Sequence, residues 1–207
     1  MSSPDASAKR AQRGEAERSA GPRQAAAAPH SGLRVVARAS IAYGLREGRP
    51  PQLDLGRYPA ELLEPRASFV TLHRWGELRG CTGNLEPDGP LVIGVARNSY
   101  RSAFSDPRFP PVAEVELDGL EISVSVLSPL EPLAAGSEED LLAKLRPGID
   151  GIVLREGARG ATFLPSVWEG LPTPQAFLHA LERKAGLAPG HWSATLRFER
   201  YTTKTAD

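Results

Sequence analysis

The chain holds a single cysteine, Cys81, in a segment whose residue types suggest chemistry. The segment spans residues 78–83 and places the thiol two residues after Arg79, with Gly80 before it and Gly83 after it. Because the side chains of a strand alternate between its faces, we expect Arg79 and Cys81 to project from the same face. A guanidinium there would favour the thiolate, and the glycines would let a ligand or another backbone approach the sulfur. The pattern predicts a site of catalysis or recognition.

Two interpretations of Cys81 follow from its residue type. As a nucleophile it would need a base within hydrogen-bonding distance, and the candidates are His73, His179 and His191. No motif places any of these histidines beside the thiol, and a lone strand histidine such as His73 is more often a surface residue. Free cysteine is among the most buried residue types, so a structural or ligand-contacting thiol is favoured over a catalytic one.

Two arginines and a polar strand face complete the candidate site. Arg79 either binds an anion or forms a salt bridge with Glu77 or Glu121. Arg108 lies between a proline and a phenylalanine, which orients it for a carboxylate of a substrate or of the protein itself. Glu121 and Ser123 alternate with apolar residues and either line a groove or form the solvent-facing side of a sheet. We therefore assign the binding groove to Arg79, Gly80, Cys81, Thr82, Gly83, Arg108, Glu121 and Ser123.

Composition narrows the class of protein. Lys and Arg total 25, as do Asp and Glu, so no net charge draws the chain to nucleic acid or to anionic lipid. No run approaches the roughly 20 apolar residues that span a bilayer. A single cysteine is typical of a reducing compartment, which favours the cytoplasm. The four histidines have no paired spacing, so we expect neither a metal site nor a bound cofactor.

The N-terminal residues differ in composition from the rest of the chain. Residues 1–30 are rich in Ala, Arg and Ser and contain no Leu, Ile, Val, Phe, Trp or Tyr. Such a segment cannot bury enough apolar surface to offset the entropy of ordering, so we expect a disordered tail. Ordered structure is expected to begin with a helix that Ser31 caps and that Gly48 and two prolines end. Residues 51–66 carry three prolines and are expected to form an irregular connection.

Periodicity and turn residues predict the remaining elements. Two hairpins are predicted over residues 69–83 and 152–164, and single strands over residues 120–127 and 194–201. Helices are predicted over residues 90–104, 138–145 and 173–185. This order contains hairpins and non-adjacent strands, so it predicts an α+β domain with a mixed or antiparallel sheet and flanking helices.

Several short motifs together resemble the AMMECR-type domain family, whose bacterial members are called AmmeMemoRadiSam system protein A. They follow the family's order, at residues 78–83, 106–109, 120–129, 151–154, 162–168 and 183–187. The resemblance covers about residues 31–203 and leaves residues 204–207 as a short tail. It implies a single compact domain of a larger and a smaller lobe, with the cysteine motif in or near the groove between them. The family has isoleucine after the cysteine, whereas Thr82 here adds a hydroxyl to the expected pocket wall.

The same resemblance implies associated proteins but does not identify a reaction. Family members often occur with a Memo-type protein, which is similar to metal-dependent dioxygenases, and with a radical S-adenosylmethionine protein. We therefore expect a cytoplasmic accessory domain that binds a small molecule or a partner protein through the groove near residues 79–83. The alternative is an enzyme in which Cys81 is the catalytic thiol and Arg79 activates it. Nucleic-acid binding is disfavoured by the zero net charge and by the lack of aromatic residues on a basic face.

Overall fold

A computed structural model describes residues 32–206 of the chain. The expected tail over residues 1–30 and the expected Ser31 cap lie outside this range. The first helix, α1 (Leu33–Glu47), follows Gly32 and ends at Gly48, as predicted. Gly48 has a φ of 66°, and a glycine is favoured there because it has no Cβ to oppose a left-handed conformation.

The larger lobe is a four-stranded antiparallel sheet with helices on one face. Its strands are β1 (Ser68–Arg74), β2 (Glu77–Gly83), β3 (Glu121–Leu127) and β8 (Thr203–Ala206), in the spatial order β2-β1-β3-β8. Helices α1 and α3 (Leu91–Phe104) pack against each other and against the sheet, and α2 (Ala60–Leu63) packs on α3. Strands β2 and β8 are therefore the two edges of this sheet.

Strand alternation separates the two faces of the larger sheet. Val70 and Leu72 of β1 are fully buried, and they belong to the same apolar core as Leu33 and Ile41 of α1. Residues between them in the sequence, such as Thr71, project to the other face. That outer face is polar and only partly covered, as expected for an antiparallel sheet with helices on one side.

The smaller lobe is a second four-stranded antiparallel sheet with its own core. Its strands are β4 (Glu131–Pro132), β5 (Gly151–Glu156), β6 (Arg159–Phe163) and β7 (Arg197–Tyr201), in the order β4-β7-β5-β6. Its helices are α4 (Glu138–Lys144) and α5 (Pro174–Lys184), capped by the Ser137 and Thr173 hydroxyls. Phe177 of α5 is fully buried and stacks on Trp168, with the ring centroids 3.9 Å apart.

The chain crosses between the lobes twice, and the two crossing segments are joined by hydrogen bonds. The Ser128 N–H donates to the Thr202 carbonyl over 2.9 Å, and the Thr202 N–H donates to the Ser128 hydroxyl over 3.0 Å. A small apolar cluster links the sheets beside them, with Tyr201 and Leu127 buried and Phe69 packed against them. Phe69 projects from the outer face of the larger sheet, so the smaller lobe covers that end of the face.

The predicted fold class is confirmed: residues 32–206 form one compact α+β domain with antiparallel sheets and flanking helices. Residues 51–66, expected to be irregular, contain a 3₁₀ helix (Leu55–Arg57) as well as α2. Two more 3₁₀ helices (Glu114–Gly119 and Pro165–Glu169) and strand β4 were not predicted, because elements this short carry no clear periodicity. Strand β8 occupies residues that we expected to form a short tail; it pairs with β3 instead.

Candidate functional site

Strand β2, which holds the cysteine segment, has its side chains divided between two faces. The register places Gly80 and Thr82 opposite the two fully buried residues of β1 and places Cys81 opposite Thr71. Directly opposed residues of two strands project to the same face. Gly80 and Thr82 therefore point towards the helices, whereas Cys81 and Gly83 lie on the outer face. The register therefore places Gly80 and Thr82, which we expected in the groove, on the opposite face of the sheet from Cys81.

The two glycines of the segment make room for the protein's own atoms. A Cβ on Gly80 would collide with the backbone carbonyl of Ser102 in α3. A Cβ on Gly83 would collide with the ring of Phe69, which pairs with it across the hairpin. Close packing of a helix and of an aromatic ring therefore explains both glycines, and neither position is needed to admit a ligand.

The guanidinium of Arg79 binds Glu116 rather than the thiol of Cys81. The pairing of β1 and β2 shifts by one residue, so Arg79 is the extra residue of a β-bulge. Its Nε and Nη2 donate to the two carboxylate oxygens of Glu116 over 2.9 and 3.0 Å. The expected ion pair with Glu77 or Glu121 is therefore formed with Glu116. Sequence spacing could not show this, because the bulge changes the direction of the side chain.

Glu116 is the centre of a buried ion-pair network. Besides Arg79, it accepts a hydrogen bond of 3.0 Å from Arg74 and one of 2.8 Å from the Ala113 N–H. The hydrogen bond from Arg79 is the main reason that the pKa of Glu116 falls to about 2, although burial opposes the shift. The guanidinium of Arg79 thus stabilises the larger lobe through Glu116. This arrangement does not support a role for Arg79 in activating the thiol of Cys81.

The backbone of Cys81 is held by two side chains of residues 106–109. The Cys81 N–H donates to Asp106 over 2.9 Å, and Arg108 Nη2 lies 3.4 Å from the Cys81 carbonyl oxygen, to which it donates. Arg108 also forms a bidentate pair with Asp106, at 3.0 and 2.7 Å. The carboxylate that Arg108 binds is therefore the protein's own. Because β2 is an edge strand, the pair satisfies backbone groups that would otherwise be open to another strand.

The thiol of Cys81 contacts a hydroxyl and none of the candidate histidines. Its Sγ lies 3.3 Å from Thr71 Oγ1, and the residue is partly buried. His179 and His191 lie beside glutamates of the smaller lobe. His73 lies two residues further along β1 than Thr71 and pairs with other positions of β2 and β3. The histidines that we considered as bases are not assembled with the thiol.

The smaller lobe contributes Lys184, which lies in the last turn of α5. Its Nζ donates to the Thr162 carbonyl over 2.9 Å and lies 5.0 Å from the centroid of the Phe163 ring. Partial burial of the ammonium is the main cause that lowers the pKa of Lys184. Thr162, which Lys184 binds, also contacts Tyr201, and Tyr201 packs in the apolar cluster with Phe69 of the larger sheet, so Lys184 lies on the side of the smaller lobe that faces the larger one. We call Thr71, Cys81, Arg108, Thr162 and Lys184 the interlobe site.

Tyr201 forms a fixed boundary between the interlobe site and the apolar cluster. The residue is 1% exposed, and burial raises the pKa of its phenol to about 12, so the hydroxyl stays protonated. That hydroxyl lies 2.8 Å from Thr162 Oγ1 and donates to the Phe163 carbonyl over 3.2 Å. These bonds fix the end of β6 against β7, beside the position where Lys184 binds Thr162.

Two further residues of the expected groove lie along the polar face of the larger sheet. Ser123 is opposite Thr71, so it is two strand spacings, about 10 Å, from Cys81. Glu121 is opposite His73, further from the interlobe site, and lines a separate depression of about 320 Å³ together with Ser123. The structure therefore brings Arg108 to Cys81 but leaves Glu121 apart.

A separate cavity of about 510 Å³ lies where the two lobes join. Its lining is mainly apolar and includes Leu85, Leu127, Leu130 and Pro129. None of the residues that we expected at the site lines it. It offers neither a thiol nor a lysine, so we place the candidate functional site at the interlobe site, where Arg108 binds the backbone of Cys81. We call this second space the apolar cavity.

Residues 32–206 contain neither a metal-ligand cluster nor a membrane-spanning helix. In this part of the chain, no three His, Cys, Asp or Glu side chains lie together in a way that could hold a metal ion. No helix of the same range is long and apolar enough to cross a membrane.

The fold and the site define a two-lobed α+β domain with a cysteine on an edge strand beside the smaller lobe. The model of the AMMECR1 family matches residues 34–206, and the chain belongs to this family. A protein of Methanothermobacter thermautotrophicus is 38% identical over 161 residues, which cover 74% of this chain and 80% of that protein. The crystal structure of an uncharacterized protein from Pyrococcus horikoshii matches with a TM-score of 0.77 at 34% identity, covering 85% of this chain and 89% of that one. The resemblance noted in the sequence is confirmed.

Proposed function

We propose that this AMMECR1-family chain is a cytoplasmic accessory domain that binds a small molecule at the interlobe site. In this proposal it serves a Memo-type protein and a radical S-adenosylmethionine protein of the AmmeMemoRadiSam system. The observation that carries the proposal is the position of the site at the junction of the lobes: β2 pairs with β1 beside Phe69, which packs in one apolar cluster with Tyr201 of the smaller lobe. Small-molecule sites commonly lie where two packed units meet, with a few polar groups converging.

The rigid mounting of the site supports binding. Asp106 and Arg108 hold the backbone of Cys81, and Thr71 contacts its sulfur. On the other side, Lys184 is held by the Thr162 carbonyl. Side chains that hydrogen bonds already fix lose little entropy when a ligand arrives, which favours affinity.

A catalytic Cys81 is the second candidate, and the observation that favours it is that the thiol is free and only partly buried. Covalent catalysis also needs a group that removes the proton of the thiol. Among residues 32–206, the side chain hydrogen-bonded to the sulfur is the Thr71 hydroxyl, which is not a base. Binding is therefore the better-supported function.

A pair of variants separates the two candidates. Cys81→Ala removes the thiol without adding volume, whereas Cys81→Trp adds a bulky ring at the same position on the outer face. The full chain and both variants are purified from the native host and weighed by native mass spectrometry, with melting temperatures as the control for folding. We expect a bound small-molecule mass on the wild type and on Cys81→Ala but not on Cys81→Trp. An equal bound mass on a folded Cys81→Trp variant, or none on the wild type, would count against the proposal.

The proposed partners are tested separately with purified proteins. The full chain is mixed with a Memo-type protein and a radical S-adenosylmethionine protein from the same organism and run on a sizing column. We expect co-elution with at least one of them. The proteins are mixed at concentrations in the tens of micromolar, because a binding free energy of about 8 kcal/mol corresponds to a Kd near 1 μM. Elution of all three proteins at their separate volumes would contradict the accessory role.

A further inference from the structure

We infer that the chain has a second ligand site, a polar cavity on the helical side of the larger lobe that takes a small oxyanion carrying a hydroxyl group. The cavity has a volume of about 380 Å³, which is within the range of small-molecule sites. It is lined by α3 and by the segments that follow α1 and β2, and we call it the arginine–amide cavity after Asn84, Arg97, Asn98 and Arg101. This second site is independent of the proposed function, because no residue of the interlobe site lines it.

Two arginines of α3 supply positive charge to one side of the cavity. Arg97 and Arg101 are exposed and lie four residues apart, so their side chains are neighbours on one face of the helix. Arg97 spends one donor on Asp88, over 2.7 Å, whereas Arg101 has no salt bridge and no side-chain hydrogen bond within residues 32–206. Asp88 is the only acid among the described residues that line the cavity, so positive charge is in excess there. Like charges at this helical spacing repel each other, and an anion bound between them relieves the repulsion.

A buried amide supplies a hydrogen-bond acceptor to the inner wall of the cavity. Asn98 is 2% exposed, and its Nδ2 donates to Asn84 Oδ1 over 2.8 Å and to the Ser68 carbonyl over 3.0 Å. The Asn84 amide is oriented in turn by donating to the Glu86 carbonyl. Oδ1 of Asn98 accepts no hydrogen bond from the described part of the chain and is not sealed in the core, so it faces the cavity that Asn98 lines. Because a nearly buried amide oxygen without a donor is costly, a ligand that brings a hydroxyl is favoured.

Hydrogen bonds join the walls of the cavity to one another. The Tyr100 hydroxyl donates to the Gly48 carbonyl over 2.6 Å, which ties the end of α1, and Pro50 beyond it, to α3. The bond between Asn98 and Asn84 ties the segment after β2 to the same helix. Walls that are already fixed lose little entropy when a ligand arrives, which favours affinity.

These groups together define the chemistry of the ligand. A carboxylate or a phosphate matches the donors of Arg97 and Arg101 and neutralises their excess charge. A hydroxyl beside it donates to Oδ1 of Asn98. Both a hydroxy acid and a glycerol or sugar phosphate carry this pair of groups. A neutral molecule would leave the charge unbalanced, and an anion without a donor would leave the amide oxygen without a partner.

The test follows the amide groups of the cavity by NMR. The ¹⁵N-labelled full chain is titrated with lactate, glycerol 3-phosphate, acetate or chloride at constant ionic strength, and the side-chain amide signals of Asn84 and Asn98 and the backbone signals of α3 are monitored. We expect saturable shifts with lactate or glycerol 3-phosphate and none with chloride. Acetate lacks the hydroxyl and is expected to bind about tenfold more weakly than lactate. The probe that saturates at the lower concentration distinguishes a hydroxy acid from a phosphate ester.

Three variants assign the shifts to the cavity. Arg101→Gln is expected to weaken binding about tenfold, through the loss of one charge-assisted hydrogen bond. Arg101→Lys keeps the charge and is expected to retain most of the affinity. Arg46→Gln removes an equal charge from an exposed position of α1 that does not line the cavity, and its affinity is expected to equal that of the wild type. Melting temperatures show that each variant is folded.

Three results would overturn the second site. The first is the absence of saturable shifts with both lactate and glycerol 3-phosphate, and the second is an unchanged affinity in folded Arg101→Gln. The third is a set of shifts centred on Thr71 and Cys81 instead of α3, which would place the anion at the interlobe site. An affinity for acetate equal to that for lactate would overturn the role of Asn98. The first two results and the acetate result leave the proposed function intact, because that function is judged by the mass that Cys81→Trp loses.

Discussion

The carboxylate of Asp106 accepts a hydrogen bond of 2.9 Å from the backbone N–H of Cys81, and the two residues are 25 positions apart in the chain. Through this bond, a loop after α3 takes the place of a neighbouring strand at the edge of β2. Arg108 replaces the second hydrogen bond of such a strand, because its Nη2 donates to the Cys81 carbonyl. The two motifs thus form one unit that holds the thiol in place and protects a sheet edge from pairing with another chain.

Asp106→Asn is expected to destabilise the fold. The amide keeps an acceptor for the Cys81 N–H but loses the charge that binds Arg108, so we expect a loss of about 2 kcal/mol in the free energy of unfolding. Urea denaturation at pH 7 measures it. The control is Asp88→Asn, since Asp88 pairs with Arg97 on the surface and its loss is expected to cost about 0.5 kcal/mol or less. Equal costs for the two variants would show that the Asp106 unit does not stabilise β2.

Glu116 is expected to make stability depend on acid pH. Its pKa is lowered from 4.5 to about 2 in the folded chain, mainly by Arg79, so its contribution is complete above pH 4.5 and is lost as the pH falls towards 2. Glu116→Gln is expected to cost about 3 kcal/mol at pH 7 and progressively less below pH 4.5. Urea denaturation across this range measures both effects, with the exposed Glu139→Gln as the control. A cost that stays constant with pH would contradict the ion-pair network.

Gly80→Ala is expected to be among the most damaging small substitutions in the chain. The new methyl group would meet the Ser102 carbonyl, so α3 or β2 must move, at a cost of about 2 kcal/mol or more. Gly136→Ala is the matched control, because nothing lies within 4 Å of a Cβ built there. Melting temperatures compare the two. A well-tolerated alanine at position 80 would contradict the close approach of helix and strand.

Glu182→Gln is expected to stabilise the chain at neutral pH. The carboxyl is 1% exposed, and burial raises its pKa, while the Gly190 N–H donates to it over 2.8 Å. A raised pKa means that this group favours the folded state at low pH and that the benefit is lost as the pH rises through the folded pKa. The glutamine keeps an acceptor and carries no charge, so the variant should gain stability at pH 7 and little at pH 4. Urea denaturation at both pH values decides this, and a loss at pH 7 would contradict it.

The sequence predicts local structure well here because its patterns are local. The alternation of β1 and β3 and the glycine turn of the first hairpin each depend on neighbouring residues, and the structure contains all three elements. The α+β class follows from their order. The short 3₁₀ helices and β8 were missed, since β8 is stabilised by pairing with β3, a distant partner.

The site was predicted only in part because its contacts are long-range. Cys81 and Arg108 could be chosen by residue type, but the Glu116 partner of Arg79 lies 37 positions away and depends on a bulge that no pattern reveals. Lys184 belongs to the other lobe, so its position relative to Cys81 depends on how the two sheets pack. The alternating faces of β2 were the one signal that could have removed Gly80 from the groove.

The most direct test of the account is a crystal structure of the full chain purified from its native host without added ligand. The account predicts density for a small molecule at the interlobe site, within hydrogen-bonding distance of Arg108 or Lys184 and in contact with Cys81. Density for a small molecule in the apolar cavity beside Leu85 and Pro129, with only water at the interlobe site, would contradict it.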